Sequence, residues 1–230
     1  MLKKIFPPCC FHCQKEWAYL CTPCKKQLIP HAETCPVCHR VSPWRHMCLD
    51  CRQHHKALTW LIIAFQYTWP LKQLIWKLKY NHARKLSPFL TQRIQWIIRT
   101  HPPLMKAIQT WNLIISHVPS HRRRHHMVKW YNQSQLLAQD LAHQLSLPHQ
   151  TLRKKIKHTR SQATLSKKKR LTNLHNAYIP LYKELQGDEY ILLIDDITTT
   201  WSTLIEVASC MKMYHPYITI RWCVLWRHWK

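Results

Sequence analysis

Glycine is almost missing from this chain: the only one among 230 residues is Gly187. A typical chain of this length carries about fifteen more. That shortage excludes collagen-like, glycine-linker and mucin-like classes. Acidic residues are scarce as well, ten against thirty-five lysines and arginines, for a formal charge of +25. Such a balance is foreign to a generic metabolic enzyme and points to a polyanionic partner. Long apolar runs are absent. Stretches such as 61–65 and 191–194 fall far short of the ~18–20 residues a spanning helix needs, so no membrane span is expected. Lys3 and Lys4 are not followed by the apolar stretch of a signal peptide. The expected location is a reducing cytoplasm.

What is present supports a packed core. Hydrophobic residues make up 46% of a 27.9 kDa chain, and at roughly 150 residues per domain the length suggests one full domain and a smaller module. Cysteine marks the boundary: nine of eleven lie before residue 52. They form four Cys-x-x-Cys units, Cys10/Cys13, Cys21/Cys24, Cys35/Cys38 and Cys48/Cys51, with Cys9 left over. In a reducing compartment such pairs read as metal ligands. A disulfide framework or redox dithiol is the competing reading. Two knuckles supply the four thiolates of a tetrahedral zinc site, so eight ligands allow two structural zinc ions. Either first with second and third with fourth, or an interleaved pairing, satisfies the count. His12, His31, His39 and His46 lie nearby and are read as ordinary polar residues. So small a module has little core, and metal binding would supply much of its folding free energy.

Beyond residue 55 the pattern alternates strands and helices. Residues 61–67 read as a strand, and 69–80 and 86–99 have helical spacing, with Pro70 in a first turn. Residues 113–118 form a short apolar strand closed by Pro119. Over 135–145, Leu137, Leu141 and Leu145 share a face, and Pro148 follows as a stop. Strand 190–194, helix 202–213 and strand 217–224 complete the chain. This alternation predicts an α/β fold, a doubly wound parallel sheet. The domains expected are a cysteine-rich zinc module at 1–55 and an α/β domain at 56–230.

Between Cys51 and Lys183 the sole acid is Asp140, yet Asp195 and Asp196 sit side by side after the apolar run 191–194. In an open parallel sheet, ligands bind at the carboxyl ends of strands. Thr198, Thr199, Thr200, Ser202 and Thr203 follow and lead into a helix, where hydroxyls and unpaired amides suit a phosphate. Paired carboxylates suit sugar hydroxyls or a metal. The bland reading is a strand-end turn with an ordinary helix cap.

The segment 191–203, Ile-Leu-Leu-Ile-Asp-Asp-Ile-Thr-Thr-Thr-Trp-Ser-Thr, resembles the phosphoribosyl-pyrophosphate (PRPP) signature of type I phosphoribosyltransferases. Further stretches narrow the resemblance to the ComF family, which joins a cysteine-rich zinc module to that fold. They are Val118-Pro119 with Arg124, Tyr131-Asn132-Gln133-Ser134, Thr159 and Gln162, Leu165-Ser166, Arg170, and Asn173-Leu174 with Asn176-Ala177-Tyr178. The resemblance covers essentially the whole chain. It implies helices on both faces of the sheet and a ligand site at the carboxyl ends of its strands. Asp195 and Asp196 would hold the ribose hydroxyls of PRPP. Thr198, Thr199, Thr200, Ser202 and Thr203 would wrap its 5′-phosphate, and Val118 and Pro119 would face a pyrophosphate bridged by Mg²⁺. ComF-type proteins are associated with natural competence and incoming single-stranded DNA, so the implied partners include a competence helicase or other DNA-processing proteins. The chain departs from the family at two glycines, replaced by Trp130 and Trp201. With twelve tryptophans and one glycine, the two replacements suggest either single-base drift or a reassigned codon.

Residues 122–170 carry thirteen lysines and arginines and one acid. Arg122, Arg123, Arg124, Lys129, Lys154, Lys155, Lys168 and Arg170 are the candidate nucleic-acid contacts. Cations attract phosphates, and interleaved Trp44, Trp130, Trp226 and Trp229 offer stacking platforms for unpaired bases. A merely solvated basic surface is the plain alternative. The functional expectation is therefore DNA uptake, through single-stranded DNA and Mg²⁺–PRPP. A binding protein without catalysis and a zinc-ribbon nucleic-acid regulator are the other readings.

Overall fold

A computed structural model describes residues 7–35, 37–38, 40–43, 47–54, 60–110, 112–120, 131–156, 178–181, 185, 189–198 and 202–227. Two short helices, α1 (Thr22–Lys26) and α2 (Leu49–His54), belong to the cysteine-rich region. There follow β1 (Leu61–Ile63), α3 (Trp69–Tyr80), α4 (Ser87–Thr100), α5 (Pro102–Gln109), β2 (Leu113–His117) and α6 (Gln133–Leu145). A short antiparallel ribbon, β3 (Arg153–Lys155) with β4 (Tyr178–Pro180), precedes β5 (Tyr190–Thr198), α7 (Ser202–Tyr214) and β6 (Thr219–Arg227).

Each long helix buries one stripe. In α3, Leu71, Leu74, Ile75 and Leu78 are buried, the spacing of one helical face, and Pro70 in the first turn removes a donor the helix does not need. In α4 the stripe is Leu90, Ile94, Ile97 and Ile98, again behind a first-turn proline. Helix α6 starts at Asn132, whose side chain accepts from the Ser134 amide at 3.1 Å, and stops where Ser146 turns left-handed at φ 54°. Helix α5 was not expected. Pro102 and Pro103 occupy its first turn, and the His101 ring accepts from the Leu104 amide.

The four long-range strands form one parallel sheet in the order β1-β6-β5-β2. Alternate residues face opposite layers. Trp60, Ile62, Ile115, Leu192, Ile194, Cys223 and Leu225 join the helices α3, α4, α5 and α6 in one core. Leu61, Ile63, Ile114, Ile191, Leu193, Trp222 and Val224 join α7 and Tyr178 of β4 in the other. The mixed α/β architecture with a parallel sheet and helices on both faces is thus as expected.

Irregular chain pairs with β2 along its free side and with residues 64–66 just past the end of β1. Beyond β1, the His31 amide donates to the Ala64 carbonyl at 3.1 Å and the Gln66 amide to that of Ile29 at 2.8 Å. Beside β2, the Ile115 amide donates to the Pro148 carbonyl at 3.0 Å and the Gln150 amide returns to Ile115 at 2.9 Å.

Strand β5 is longer than the apolar run suggested. It continues through Asp195 and Asp196 to Thr198 because β6 is equally long, pairing Asp195 with Val224, Ile197 with Trp226 and Thr198 with Arg227.

Candidate functional site

Two groups of side chains carry chemistry, the cysteine tetrads and the acidic pair. Cys10, Cys13, Cys21 and Cys24 form one tetrad, and Cys35, Cys38, Cys48 and Cys51 the other, with all four sulfurs in each within 4.8 Å of one another. The pairing is therefore first with second and third with fourth. The two are built alike. The Cys21 amide donates to Cys10 Sγ at 3.5 Å, and the Cys48 amide to Cys35 Sγ at 3.4 Å. The Cys13–Cys21 and Cys38–Cys48 sulfurs both lie 3.6 Å apart.

Four converging sulfurs with amides aimed at them suit a metal that prefers thiolate. Burial raises the Cys10 thiol, but backbone hydrogen bonds around Cys13, Cys21 and His12 overcome it and bring the group down to about 6. Hydrogen bonds from the backbone and side chain of Arg40 lower Cys38, also to about 6. Cys24 and Cys51 go up instead, through burial and neighbouring sulfurs. A cation among them would neutralise thiolates crowded this closely, and each tetrad could hold a metal ion.

The tetrads dock on opposite faces of the sheet. Cys10 and Cys24, with Leu20 and Leu28, belong to the core of α3 to α6. There Lys77 Nζ donates to the Phe11 carbonyl at 2.5 Å, and the His12 ring meets Gln73. Cys35 and Cys51, with Met47, belong to the other core. Arg227 at the end of β6 lies close enough that Cys35 counters the burial that pushes its guanidinium down to about 10.

The acidic pair lies toward the carboxyl end of β5, between β2 and β6. Ser134 Oγ donates to Asp195 Oδ1 at 2.7 Å, and Lys79 Nζ pairs with Asp196 Oδ2 at 2.7 Å, with both side chains mostly buried. Each carboxylate also accepts from the following amide, Asp196 N at 2.9 Å and Ile197 N at 2.7 Å. Burial and the neighbouring Asp196 push Asp195 up to about 7, while Ser134 and Lys79 hold it from rising further. Burial alone would lower Lys79; attraction to Asp196 and the hydrogen bond between them outweigh it and keep the ammonium charged.

The stretch Tyr131–Ser134 organises this corner. Tyr131 Oη donates to the Leu78 carbonyl, and Gln133 Nε2 to that of Lys79 at 3.5 Å. Asn132 Nδ2 donates to the Val118 carbonyl at 3.1 Å. The Val118 amide in turn donates to Ile194 at 3.0 Å. One short turn therefore binds the end of α3, the loop after β2 and the first carboxylate. Val118 and the acidic pair are thus joined through Asn132 and Ser134, and Thr198 ends β5 three residues beyond Asp195.

Thr203 lies in the first turn of α7, where Ser202 begins the helix. Thr199, Thr200, Trp201, Arg122, Arg123, Arg124, Lys129, Trp130, Lys168 and Arg170 lie outside the described residues. Lys154 is exposed on β3, and Lys155 lies over the Tyr178 ring with Nζ 5.6 Å from its centroid.

Sequence reasoning missed Lys79, Ser134 as the partner of Asp195, and a buried His117–His149 contact. The last joins Nδ1 and Nε2 at 3.1 Å beside the Val118 loop. Burial, then the charge of His149, push His117 down to about 3. No local signal marks Lys79, one lysine among many. It is found only when the sheet brings α3 against β5.

No family model matches the chain. Among curated proteins, DNA utilization protein YhgH of Salmonella typhimurium is 31% identical over 231 residues, covering 95% of this chain and 96% of that protein. YhgH of Escherichia coli strain K12 is 28% identical over 226 residues, with the same coverage of each chain. Competence protein F of Haemophilus influenzae is 29% identical over 219 residues, spanning 88% of this chain and 90% of that protein. Among the described residues, no helix is long and apolar enough to cross a membrane.

Proposed function

The chain belongs to the ComF family, and from that premise we propose that it handles DNA entering the bacterial cytoplasm, binding it as a single strand and holding Mg²⁺-bound PRPP at Asp195 and Asp196. The observation that carries the second half is the placement of the acidic pair, at the carboxyl end of an inner strand beside the loop at Val118 and Pro119. In this reading the two carboxylates receive the ribose hydroxyls. Thr198, Thr199, Thr200, Ser202 and Thr203 surround the 5′-phosphate. Val118 and Pro119 approach the pyrophosphate, whose charge Mg²⁺ neutralises when bound.

Loss of pyrophosphate leaves positive charge on the ribose, which an ionised carboxylate stabilises. Ser134 orients Asp195 for that work, and Lys79 fixes Asp196. Because Asp195 titrates near 7, it is ionised only on the alkaline side of neutrality, so ligand affinity rises with pH through that range. Each tetrad holds one structural zinc ion, with four sulfurs leaving no position open for chemistry. Residues 1–55 form the zinc module and 56–230 the phosphoribosyltransferase-like domain. Partners are single-stranded DNA and a competence helicase or another DNA-processing protein.

The second reading, a binding protein without catalysis, draws on the ion pair Lys79–Asp196 and on the indole of Trp201 at a glycine position of the family signature. Calorimetric titration of Mg²⁺–PRPP separates the two. Binding by the unmodified protein that is lost in Asp195→Asn/Asp196→Asn supports the PRPP site. Silence in the unmodified protein with binding in Trp201→Gly shows a site closed by one side chain, and the non-catalytic reading then leads.

A further inference from the structure

The outer face of α3 carries a row of aromatic rings that packing does not explain. Trp69 is 70% exposed, Trp76 53% and Tyr80 49%. At 100° per residue, positions 69, 72, 76 and 80 fall within about 80° of arc, directly away from the buried leucine stripe. Trp69 and Trp76 are offset by about 10 Å along the axis, and Trp76 and Tyr80 by about 6 Å. The Trp76 and Tyr80 rings lie 5.9 Å apart, tilted by 48°. At the start of the row Tyr67 stacks on Trp226, with Lys72 Nζ 4.7 Å from the Tyr67 centroid. At its end the Arg84 guanidinium lies 4.5 Å from the centroid of the Tyr131 ring.

Charge selects the occupant. Helix α3 carries three lysines and no acid, and no acidic residue occurs from 52 to 139. Lys77 and Lys79 are engaged by Phe11 and Asp196, whereas Lys72 stands among the exposed rings. Flat π-faces interleaved with cations suit unpaired bases on a polyanionic backbone; in a duplex those base faces are already stacked.

We infer that single-stranded DNA runs along the outer face of α3, its bases stacking on Trp69, Trp76 and Tyr80 and its phosphates meeting Lys72 and Arg84. This rests on the reading that the chain binds single-stranded DNA, and it places the strand on the helix that also supplies Lys79, on the flank of the same row about 20° beyond Lys72, to the acidic pair.

The test uses the full-length, metal-loaded protein and fluorescence anisotropy with a labelled oligothymidylate and an abasic strand of equal length. Stacking contributes about 1–3 kcal/mol per base, so Trp69→Ala/Trp76→Ala is expected to weaken oligothymidylate binding by at least about tenfold. Affinity for the abasic strand stays unchanged, and Trp69→Tyr/Trp76→Tyr recovers most of the loss. Unchanged oligothymidylate binding in the alanine variant overturns the inference while leaving single-stranded DNA binding intact. No binding of either strand by the unmodified protein removes both. A dimer in the unmodified protein that dissociates on the same substitutions assigns the face to a second copy of the chain and likewise overturns it.

Discussion

Among the described residues, one face of the sheet is covered by α3 to α6 with the first cysteine tetrad and its short helix α1 packed among them; the other is covered by α7, a two-stranded ribbon and the second tetrad with α2. The ligand chemistry of the tetrads is the same down to the amide-to-sulfur contacts, so the difference lies in what surrounds them. On the first face Cys10 and Cys24 pack beside the leucines and isoleucines of four helices, among them Leu71, Leu90, Ile94, Leu137 and Leu141. On the second face, Cys35, Met47 and Cys51 pack with Leu61, Ile63 and Trp222 of β1 and β6. Among the described residues, the second tetrad thus supplies part of the cover of its face. A metal bound in the second tetrad would therefore support a larger share of its face than one bound in the first.

Removing metal selectively gives the largest expected contrast. Structural zinc contributes up to about 10–16 kcal/mol in isolated zinc-finger peptides, and a domain of this size shifts by about 2–4 °C in Tm per kcal/mol. Cys35→Ala/Cys51→Ala should lower the main melting transition by at least about 10 °C. Cys10→Ala/Cys24→Ala should lose one equivalent of zinc with a smaller fall. Scanning calorimetry with metal analysis on both variants checks this, and equal losses would break the comparison.

Next in size is the buried ion pair. Lys79→Met strands the Asp196 carboxylate, at a cost of about 3–5 kcal/mol. Lys79→Met/Asp196→Leu should restore a large part of that loss in urea denaturation. A double variant no better than the single one would show that Lys79 acts by more than neutralising its partner.

Acid and base act in opposite directions at the strand ends. Asp195 is raised on folding from 3.8 to about 7, so the folded state retains a proton the unfolded chain releases. Its contribution to stability is therefore lost as pH climbs through that window. Asp195→Asn should raise Tm at pH 8 more than at pH 5. His117 is depressed from 6.5 to about 3, so stability is lost as pH falls from 6.5 toward 3. His117→Gln should flatten that acid limb. Both are read from pH-dependent melts.

The smallest effect belongs to the second tetrad's rim. Arg40 Nη2 and Asp50 Oδ2 meet at 2.5 Å with side chains 63% and 68% exposed, and exposed pairs contribute little. Asp50→Asn should move the melt by no more than the error of the measurement. A clear fall would mean that Arg40 supports Cys38 through its place in this pair.

Much of this architecture was legible in the chain. The helix at 69–80 has the extent expected, and all four sheet strands were anticipated, because leucine and isoleucine recur at the period of the element. The eight clustered cysteines were readable from spacing, whereas their grouping into tetrads was not, since two knuckles of either arrangement share one spacing. Helix α5 was hidden by its own prolines, and the β3–β4 ribbon by the polarity of Arg153, Lys154 and Lys155. At the strand ends, Asp195 and Asp196 announced themselves as the rare acids beside an apolar run. Lys79, Ser134 and His117 did not, because each acquires its partner only through contacts between elements far apart in sequence.

The irregular segment at 148–150 occupies the outer side of β2, and that at 29–31 pairs with the chain just past β1. An open sheet ordinarily presents two rows of unsatisfied amides and carbonyls to any other strand it meets. Here the row on β2 is partly taken by the exit of α6, and the chain linking the two tetrads pairs just past the end of β1. Self-association by adding strand to strand is correspondingly discouraged, and a strongly basic protein passing through folding intermediates is spared one route to fibrils.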